Sequence, residues 1–195
     1  MGMEPKEVIT PTIYSKEFLE AIDLIFTSKK EEEALSYLSK FKNMKAIATL
    51  SGKDSTVSTY MFLQLVPNAT VLINRYVGHR KMPNHIVEEL YSIAKMIGAK
   101  NIVVSELQWD AHSSLFFQIA KNYDCEVIIT GLRKQEDGEW PDIIRIGDRY
   151  VTIAAPLRRW RHSDVWAYIW KHRLPVPSQY RDALPWESLQ SLVLR

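Results

Sequence analysis

Six small or charged residues stand where an apolar strand gives way to a helix: Ser51, Gly52, Lys53, Asp54, Ser55 and Thr56. A simple turn needs neither the lysine, the aspartate nor the hydroxyls. The first turn of a helix has unpaired N–H groups and a partial positive charge, so it attracts phosphate. Glycine lets the backbone approach a ligand oxygen, while lysine and hydroxyl groups add charge and hydrogen bonds. The segment therefore predicts a phosphate-binding loop, although it lacks the G-x-x-x-x-G-K-S/T spacing.

The alternative interpretation is an ordinary helix start, in which Asp54 or Ser55 satisfies the backbone of the first turn. Capping accounts for one residue of the segment and leaves the others without a role. The phosphate-binding interpretation is therefore favoured.

An alternation of strands and helices must position this segment. Short apolar strands are predicted at 45–50, 69–74, 101–105 and 125–130, and amphipathic helices at 55–65, 83–97 and 111–123. This order predicts an α/β fold whose parallel sheet is covered on both faces. Two helices are predicted within 15–42. After residue 140 we expect two short strands that turn at Gly147-Asp148 and a last helix capped by Ser163.

Ligands of such sheets bind outside the carboxyl ends of the strands, near the point where the strand order reverses. The predicted loops after the second and fourth strands carry concentrated positive charge, in residues 74–81 and 131–136. Together with the glycine and hydroxyls after the first strand, this layout indicates an anion site.

Composition excludes several classes of protein. A net charge of +2 gives no argument for general nucleic-acid binding. The apolar runs are too short to span a membrane and no secretion signal opens the chain, so a cytoplasmic protein is expected. The single cysteine, Cys125, excludes an internal disulfide, and the histidines lack zinc-site spacing. We therefore expect neither zinc nor an iron–sulfur cluster.

Three stretches resemble motifs of the phosphoadenosine phosphosulfate (PAPS) reductase family, part of the PP-loop adenine nucleotide alpha-hydrolase-like superfamily. They are "LSGKDST" (50–56), "IITGLRKQE" (128–136) and "APLRRWRHSDVWAYIWKHRLPVPSQY" (155–180), in the family's order and spacing. The resemblance implies a Rossmann-like three-layer α/β/α fold with a twisted, mainly parallel sheet of about five strands. It implies a nucleotide-binding domain over 44–180, after an N-terminal helical extension (1–43) and before a C-terminal tail (181–195).

The resemblance also implies an adenine nucleotide, ATP or PAPS, bound with Mg²⁺. The residues predicted to bind it are Ser51, Gly52, Lys53, Asp54, Ser55, Thr56, Asn74, Arg75, Gly131, Arg133 and Lys134. Of these, Lys53 and Arg133 would be catalytic, because they would stabilise charge on the transferred phosphoryl group and the departing pyrophosphate. Trp160, Trp166, Tyr168 and Ile169 are expected to be core residues.

One departure from the family bears on the reaction. Its reductases carry a cysteine in a C-terminal Glu-Cys-Gly-Leu-His segment, whereas this sequence closes with "ESLQSLVLR". The resemblance then implies adenylyl transfer, or cleavage of ATP between the α- and β-phosphates, with a small anionic acceptor such as sulfate. Two alternatives stay open: a reductase-like enzyme of sulfate assimilation, and a non-catalytic nucleotide-binding subunit, in a homo-oligomer or a complex. RNA modification is disfavoured, because it would normally bring more cysteines or a basic domain.

Overall fold

The computed structural model describes residues 28–77, 82–108 and 112–180. Its helices are α1 (Ser28–Ser39), α2 (Lys53–Leu65), α3 (Asn84–Met96), α4 (His112–Asn122), α5 (Lys134–Asp137) and α6 (His162–Lys171). Its strands are β1 (Ala46–Leu50), β2 (Thr70–Val77), β3 (Asn101–Gln108), β4 (Val127–Ile129), β5 (Ile143–Ile146) and β6 (Arg149–Ala154), and a 3₁₀ turn covers Ser178–Tyr180. The first helix predicted within 15–42 and the tail 181–195 lie outside the described residues.

The six strands form one sheet in the order β3-β2-β1-β4-β6-β5. Every neighbouring pair is parallel except β5 and β6, which form an antiparallel hairpin at one edge. The predicted fold class is confirmed, with one strand more than expected. The two short strands predicted after residue 140 are this hairpin, and their turn lies at Gly147-Asp148 as expected.

Helices cover both faces of the sheet. Side chains alternate along each strand, so Val71 and Ile73 of β2 pack with α1, α2, α3 and α6, whereas Leu72 packs with α4. None of the described helices is long and apolar enough to cross a membrane. The aromatic residues of α6 that were expected in the core, Trp166 and Tyr168, are buried.

The start of α6 differs from the prediction. Its N-cap is Arg161 and not Ser163, because the Asp164 carboxylate accepts a hydrogen bond from the Arg161 N–H at 2.7 Å. The same carboxylate pairs with the Lys30 ammonium of α1 at 2.5 Å. A carboxylate three residues after the N-cap is therefore what holds this helix start in place.

The strand order reverses between β1 and β4, since β2 lies on one side of β1 and β4 on the other. The segments that follow β1 and β4 therefore meet at the carboxyl edge of the sheet, which is where ligands bind in folds of this class.

Candidate functional site

The 51–56 segment has an internal hydrogen-bond network centred on Ser55. Its Oγ accepts hydrogen bonds from the N–H groups of Ser51 (2.8 Å) and Gly52 (2.9 Å) and donates to the Gly52 carbonyl at 2.9 Å. Thr56 Oγ1 donates to the same carbonyl, also at 2.9 Å. A hydroxyl has one proton and two lone pairs, so that of Ser55 is fully used here. These two hydroxyls, predicted to meet phosphate, stabilise the shape of the segment in this structure.

Lys53, Asp54 and Arg133 form a cluster that we call the buried charge cluster. The Lys53 ammonium pairs with Asp54, and the Arg133 Nε donates to Asp54 Oδ1 at 2.7 Å. The side chains of Lys53 and Arg133 are only 4% and 2% exposed. Taking a charge out of water costs several kcal/mol before any pairing offsets it. Two cations from separate segments are thus held at the first turn of α2 in spite of this cost.

Gly131 explains how Arg133 reaches Asp54. A Cβ at Gly131 would lie 2.3 Å from the backbone nitrogen of Ser55, closer than atoms can approach. Only a hydrogen fits, so the segment after β4 lies directly against the first turn of α2. Its backbone continues to Arg133, whose N–H donates to Asp137 Oδ2 at 2.8 Å and whose side chain turns to Asp54.

The charged ends of Arg75 and Lys134, both predicted site residues, have partners elsewhere. Arg75 pairs through Nη1 with Glu106 on β3 at 3.0 Å and donates through Nη2 to Asn84. Lys134, with a side chain 64% exposed, pairs with Glu139. The structure therefore does not bring these two charges into the buried charge cluster.

Asn74 lies near the 51–56 segment through a residue that the sequence analysis missed. The Tyr76 hydroxyl lies close to the side chains of Ser51 and Asn74. Burial raises the pKa of Tyr76, so its hydroxyl stays protonated at neutral pH. Asn74 is buried, and its Oδ1 has no hydrogen-bond partner among the described residues. Polar side chains therefore continue from the segment onto β2.

Tyr180 is a second residue that the sequence analysis quoted without giving it a role. Its hydroxyl lies over Gly52, where a Cβ would come within 2.8 Å of it, and beside the backbone N–H of Lys53. The Lys53 ammonium is 5.6 Å from the centre of the Tyr180 ring. Burial raises the pKa of Tyr180. Because Gly52 has no side chain, an oxygen atom can lie against its backbone, and in this structure that atom is the Tyr180 hydroxyl oxygen.

A buried carboxylate holds Tyr180 in this position. Glu89 of α3 is 5% exposed and accepts two hydrogen bonds from Ser178, from its N–H at 2.8 Å and from its hydroxyl at 2.6 Å. The 3₁₀ turn that carries Tyr180 is thereby fixed to α3.

Cys125 lies away from this site. It precedes β4 at the amino end of that strand, whereas Gly131 follows the carboxyl end. Its side chain is buried, and burial raises the pKa of the thiol. A raised pKa disfavours the reactive thiolate, so we still expect Cys125 to be a structural residue.

Three solved structures show what the chain is similar to. The first is FMN adenylyltransferase from Candida glabrata in complex with FAD and inorganic pyrophosphate (TM-score 0.58, 14% identity, covering 87% of this chain and 63% of that chain). The second is PAPS reductase from Candida auris as a phosphate complex (TM-score 0.50, 12% identity, covering 88% of this chain and 94% of that chain). The third is the U34-tRNA thiolase NcsA from Methanococcus maripaludis with its 4Fe–4S cluster (TM-score 0.58, 14% identity, covering 99% of this chain and 80% of that chain). At these identities the similarity shows the fold. The chain spans less than two thirds of the adenylyltransferase.

The comparison with NcsA corrects the cofactor prediction. An iron–sulfur cluster was excluded because the chain has one cysteine, yet a protein of the same fold is described with its 4Fe–4S cluster. The exclusion is therefore wrong as a statement about this fold. Among the described residues, no three His, Cys, Asp or Glu side chains converge as metal ligands.

The family comparison rests on sequence. No curated protein sequence matches the chain. The family model described as the phosphoadenosine phosphosulfate reductase domain matches residues 45–185, well over half of the sequence, and includes the 51–56 segment, Arg133 and Tyr180. The chain belongs to the phosphoadenosine phosphosulfate reductase domain family.

Proposed function

We propose that the chain binds an adenine nucleotide, with the phosphates between the 51–56 segment and Arg133, and that it transfers the adenylyl group or cleaves ATP between the α- and β-phosphates. The observation that carries this proposal is the buried charge cluster. Lys53 and Arg133 come from two segments that only the reversal of strand order brings together, and both meet Asp54 at the first turn of α2.

Burial strengthens the interaction of these two cations with a bound anion. The attraction between two charges is several times stronger in a protein interior than in water. Cations fixed there need little reorganisation when negative charge develops on a ligand. The first turn of α2 adds its own partial positive charge. Stability alone does not account for this arrangement, because a buried ion pair is often no more stabilising than apolar residues of the same volume.

The proposed reaction is a displacement at the α-phosphorus. An acceptor oxygen forms a bond to that phosphorus while the bond to the bridging oxygen of the β-phosphate breaks, and pyrophosphate leaves with the electron pair. Lys53 and Arg133 would stabilise the charge that builds on the departing oxygens. An acceptor that is already an anion, such as sulfate, needs no general base.

Proteins of the same fold supply support of a general kind. The Candida glabrata adenylyltransferase has been solved with FAD and pyrophosphate and with ATP, and the Candida auris reductase with phosphate. Reduction by a thiol is not favoured for this chain, because Cys125 is buried at the opposite edge of the sheet.

The test combines binding with turnover. Calorimetry would compare ATP with PAPS, and a pyrophosphate assay would follow ATP with sulfate or FMN as acceptor. If Arg133 stabilises the transition state, Arg133→Ala should lower kcat, by tenfold for each ~1.4 kcal/mol lost, and should not act through KM alone. Arg158→Ala is the matched control, because that guanidinium is paired with Glu139 and Asp142 on the surface.

The outcomes separate the functions. Binding of ATP without pyrophosphate from any acceptor would indicate a non-catalytic nucleotide-binding subunit. Failure of the folded protein to bind either nucleotide would overturn the proposal. Equal kinetic effects of the two arginine substitutions would remove Arg133 from the reaction.

A further inference from the structure

His162, the first residue of α6, lies at the rim of the proposed nucleotide site. Its side chain is exposed, and its Nε2 accepts a hydrogen bond from the indole Nε1–H of Trp166 at 2.9 Å. Trp166 is buried and packs edge to face against Tyr180, with ring centres 6.2 Å apart. Tyr180 in turn lies over Gly52. This series of contacts connects the imidazole to the 51–56 segment.

The charged groups that face His162 are those of the buried charge cluster. Burial, followed by Lys53 and Arg133, holds the pKa of the imidazole below its ordinary value, and Asp54 opposes this only in part. The partial positive charge at the start of α6 acts in the same direction as the two cations. The imidazole is therefore neutral at pH 7.

The contact with Trp166 selects one tautomer of this neutral ring. Nε2 must be unprotonated to accept the indole N–H, so the ring proton lies on Nδ1. Among the described residues no group hydrogen-bonds to Nδ1. A neutral N–H donor with a fixed tautomer is thus left at the rim of a site whose other groups attract anions.

We propose that His162 is a further ligand-binding residue of this site, which donates a hydrogen bond from Nδ1–H to a phosphate oxygen of the bound nucleotide, and that Trp166 positions it. The inference rests on the proposed function, since it concerns the same ligand. A neutral donor would increase the affinity for the nucleotide and orient its phosphate, without the desolvation cost of a third cation.

Two substitutions of His162 distinguish its nitrogens. Asparagine places its amide nitrogen near the position of Nδ1, and glutamine places it near that of Nε2. With ATP or inorganic pyrophosphate as the probe, His162→Asn should bind within about twofold of the wild type. His162→Gln should bind about two- to tenfold more weakly, the range for one neutral hydrogen bond. The matched control is His85→Gln, because His85 is also an exposed histidine in the first turn of a helix.

A measurement without ligand tests the role of Trp166. The ¹⁵N NMR spectrum of the histidine side chains should show His162 protonated at Nδ1 in the wild type, whereas Trp166→Phe should shift the ring toward the Nε2–H tautomer. Addition of pyrophosphate should then move the Nδ1–H resonance of the wild type. A merely structural histidine would show the change of tautomer in Trp166→Phe but no movement of its Nδ1–H resonance when pyrophosphate is added.

Each result has one meaning. Nucleotide binding that His162→Gln leaves unchanged, or a wild-type ring protonated at Nε2, would overturn this inference and leave the proposed function standing. Failure of the wild type to bind either probe would overturn both.

Discussion

Two groups of charged side chains, joined by the short helix α5, differ above all in burial. The buried charge cluster consists of Lys53, Asp54 and Arg133. The exposed charge cluster consists of Lys134, Glu139, Asp142 and Arg158, whose side chains are 33–65% exposed. Exposed pairs cost little to form and contribute little to stability, whereas buried pairs are expensive to form and costly to break. Burial, and not the number of charges, marks the first cluster as a candidate for function.

The boundary between the clusters falls between two adjacent residues. The sequence analysis treated Arg133 and Lys134 as a pair that contacts phosphate. In the structure Arg133 has an extended backbone (φ −126°, ψ 132°) and precedes α5, whereas Lys134 is the first residue of the helix. The change of backbone conformation sends one side chain to Asp54 and the other to Glu139. Neighbours in a motif thus belong to different environments.

The largest expected effect comes from removing the carboxylate that the two buried cations share. Asp54→Asn should lower the free energy of unfolding by about 3–5 kcal/mol, because it leaves buried charge without its partner. Asp142→Asn in the exposed charge cluster should change it by no more than about 0.5 kcal/mol. Urea unfolding measures both, and equal losses would show that burial does not separate the clusters.

The next comparison is between two glycines, Gly131 beside the buried charge cluster and Gly138 beside the exposed charge cluster. Gly131→Ala should cost about 1–3 kcal/mol and weaken nucleotide binding, because the new methyl group would push the Ser55 backbone away. Gly138→Ala meets no atom within 4 Å, but the backbone at Gly138 (φ 73°, ψ −143°) has a conformation that alanine rarely adopts, so the change should cost about 1–3 kcal/mol. It should leave binding unchanged. If Gly131→Ala bound nucleotide normally, the two segments would not need this close approach.

Tyr180 allows a test in which affinity should rise. The phenol hydroxyl lies over Gly52 and beside the Lys53 N–H, so a phosphate oxygen that approaches the backbone there must displace it. Tyr180→Phe should therefore bind ATP more tightly, by about 0.5–1.5 kcal/mol. Tyr150→Phe, on the exposed surface of β6, is the control for calorimetry. Weaker binding by Tyr180→Phe would instead make the hydroxyl a ligand contact.

The smallest effect is a pH dependence of stability. The folded state lowers the pKa of His162, so the unfolded chain binds the proton more readily. Stability should decrease as pH falls through about 6.5, the ordinary histidine value, and stop decreasing below the folded pKa. His162→Asn should lack this part of the decrease. Urea unfolding between pH 5 and pH 8 compares the two proteins, and parallel curves would contradict the assignment.

Most of the fold followed from the sequence because its elements have strong local periodicity. The core of each strand from β1 to β4 was predicted from its apolar run. β2 and β3 continue further, to Val77 and Gln108, because each pairs with the other along its whole length. That extension depends on a partner strand and has no local signal.

The site was predictable only where one segment defines it. The residue types of the 51–56 segment were enough to predict it as a site, and its association with Gly131 and Arg133 followed from the resemblance. Tyr76 and Tyr180 lie beside this segment, and His162 is connected to it through Trp166, only because distant parts of the chain fold together. An isolated tyrosine or histidine in the sequence gives no sign of such contacts. The partners of Arg75 and Lys134 were missed for the same reason.

The most direct test of the account is ATP binding by two lysine variants. Lys53 and Lys95 each lie over a tyrosine ring, at 5.6 Å and 4.7 Å, but Lys53 is buried in the charge cluster and Lys95 is exposed on α3. Methionine keeps the apolar stem of each and removes its charge. By calorimetry, Lys53→Met should weaken ATP binding by about 1–3 kcal/mol, whereas Lys95→Met should not change it. Equal affinity of the wild type and a folded Lys53→Met would contradict the claim that the buried charge cluster binds phosphate.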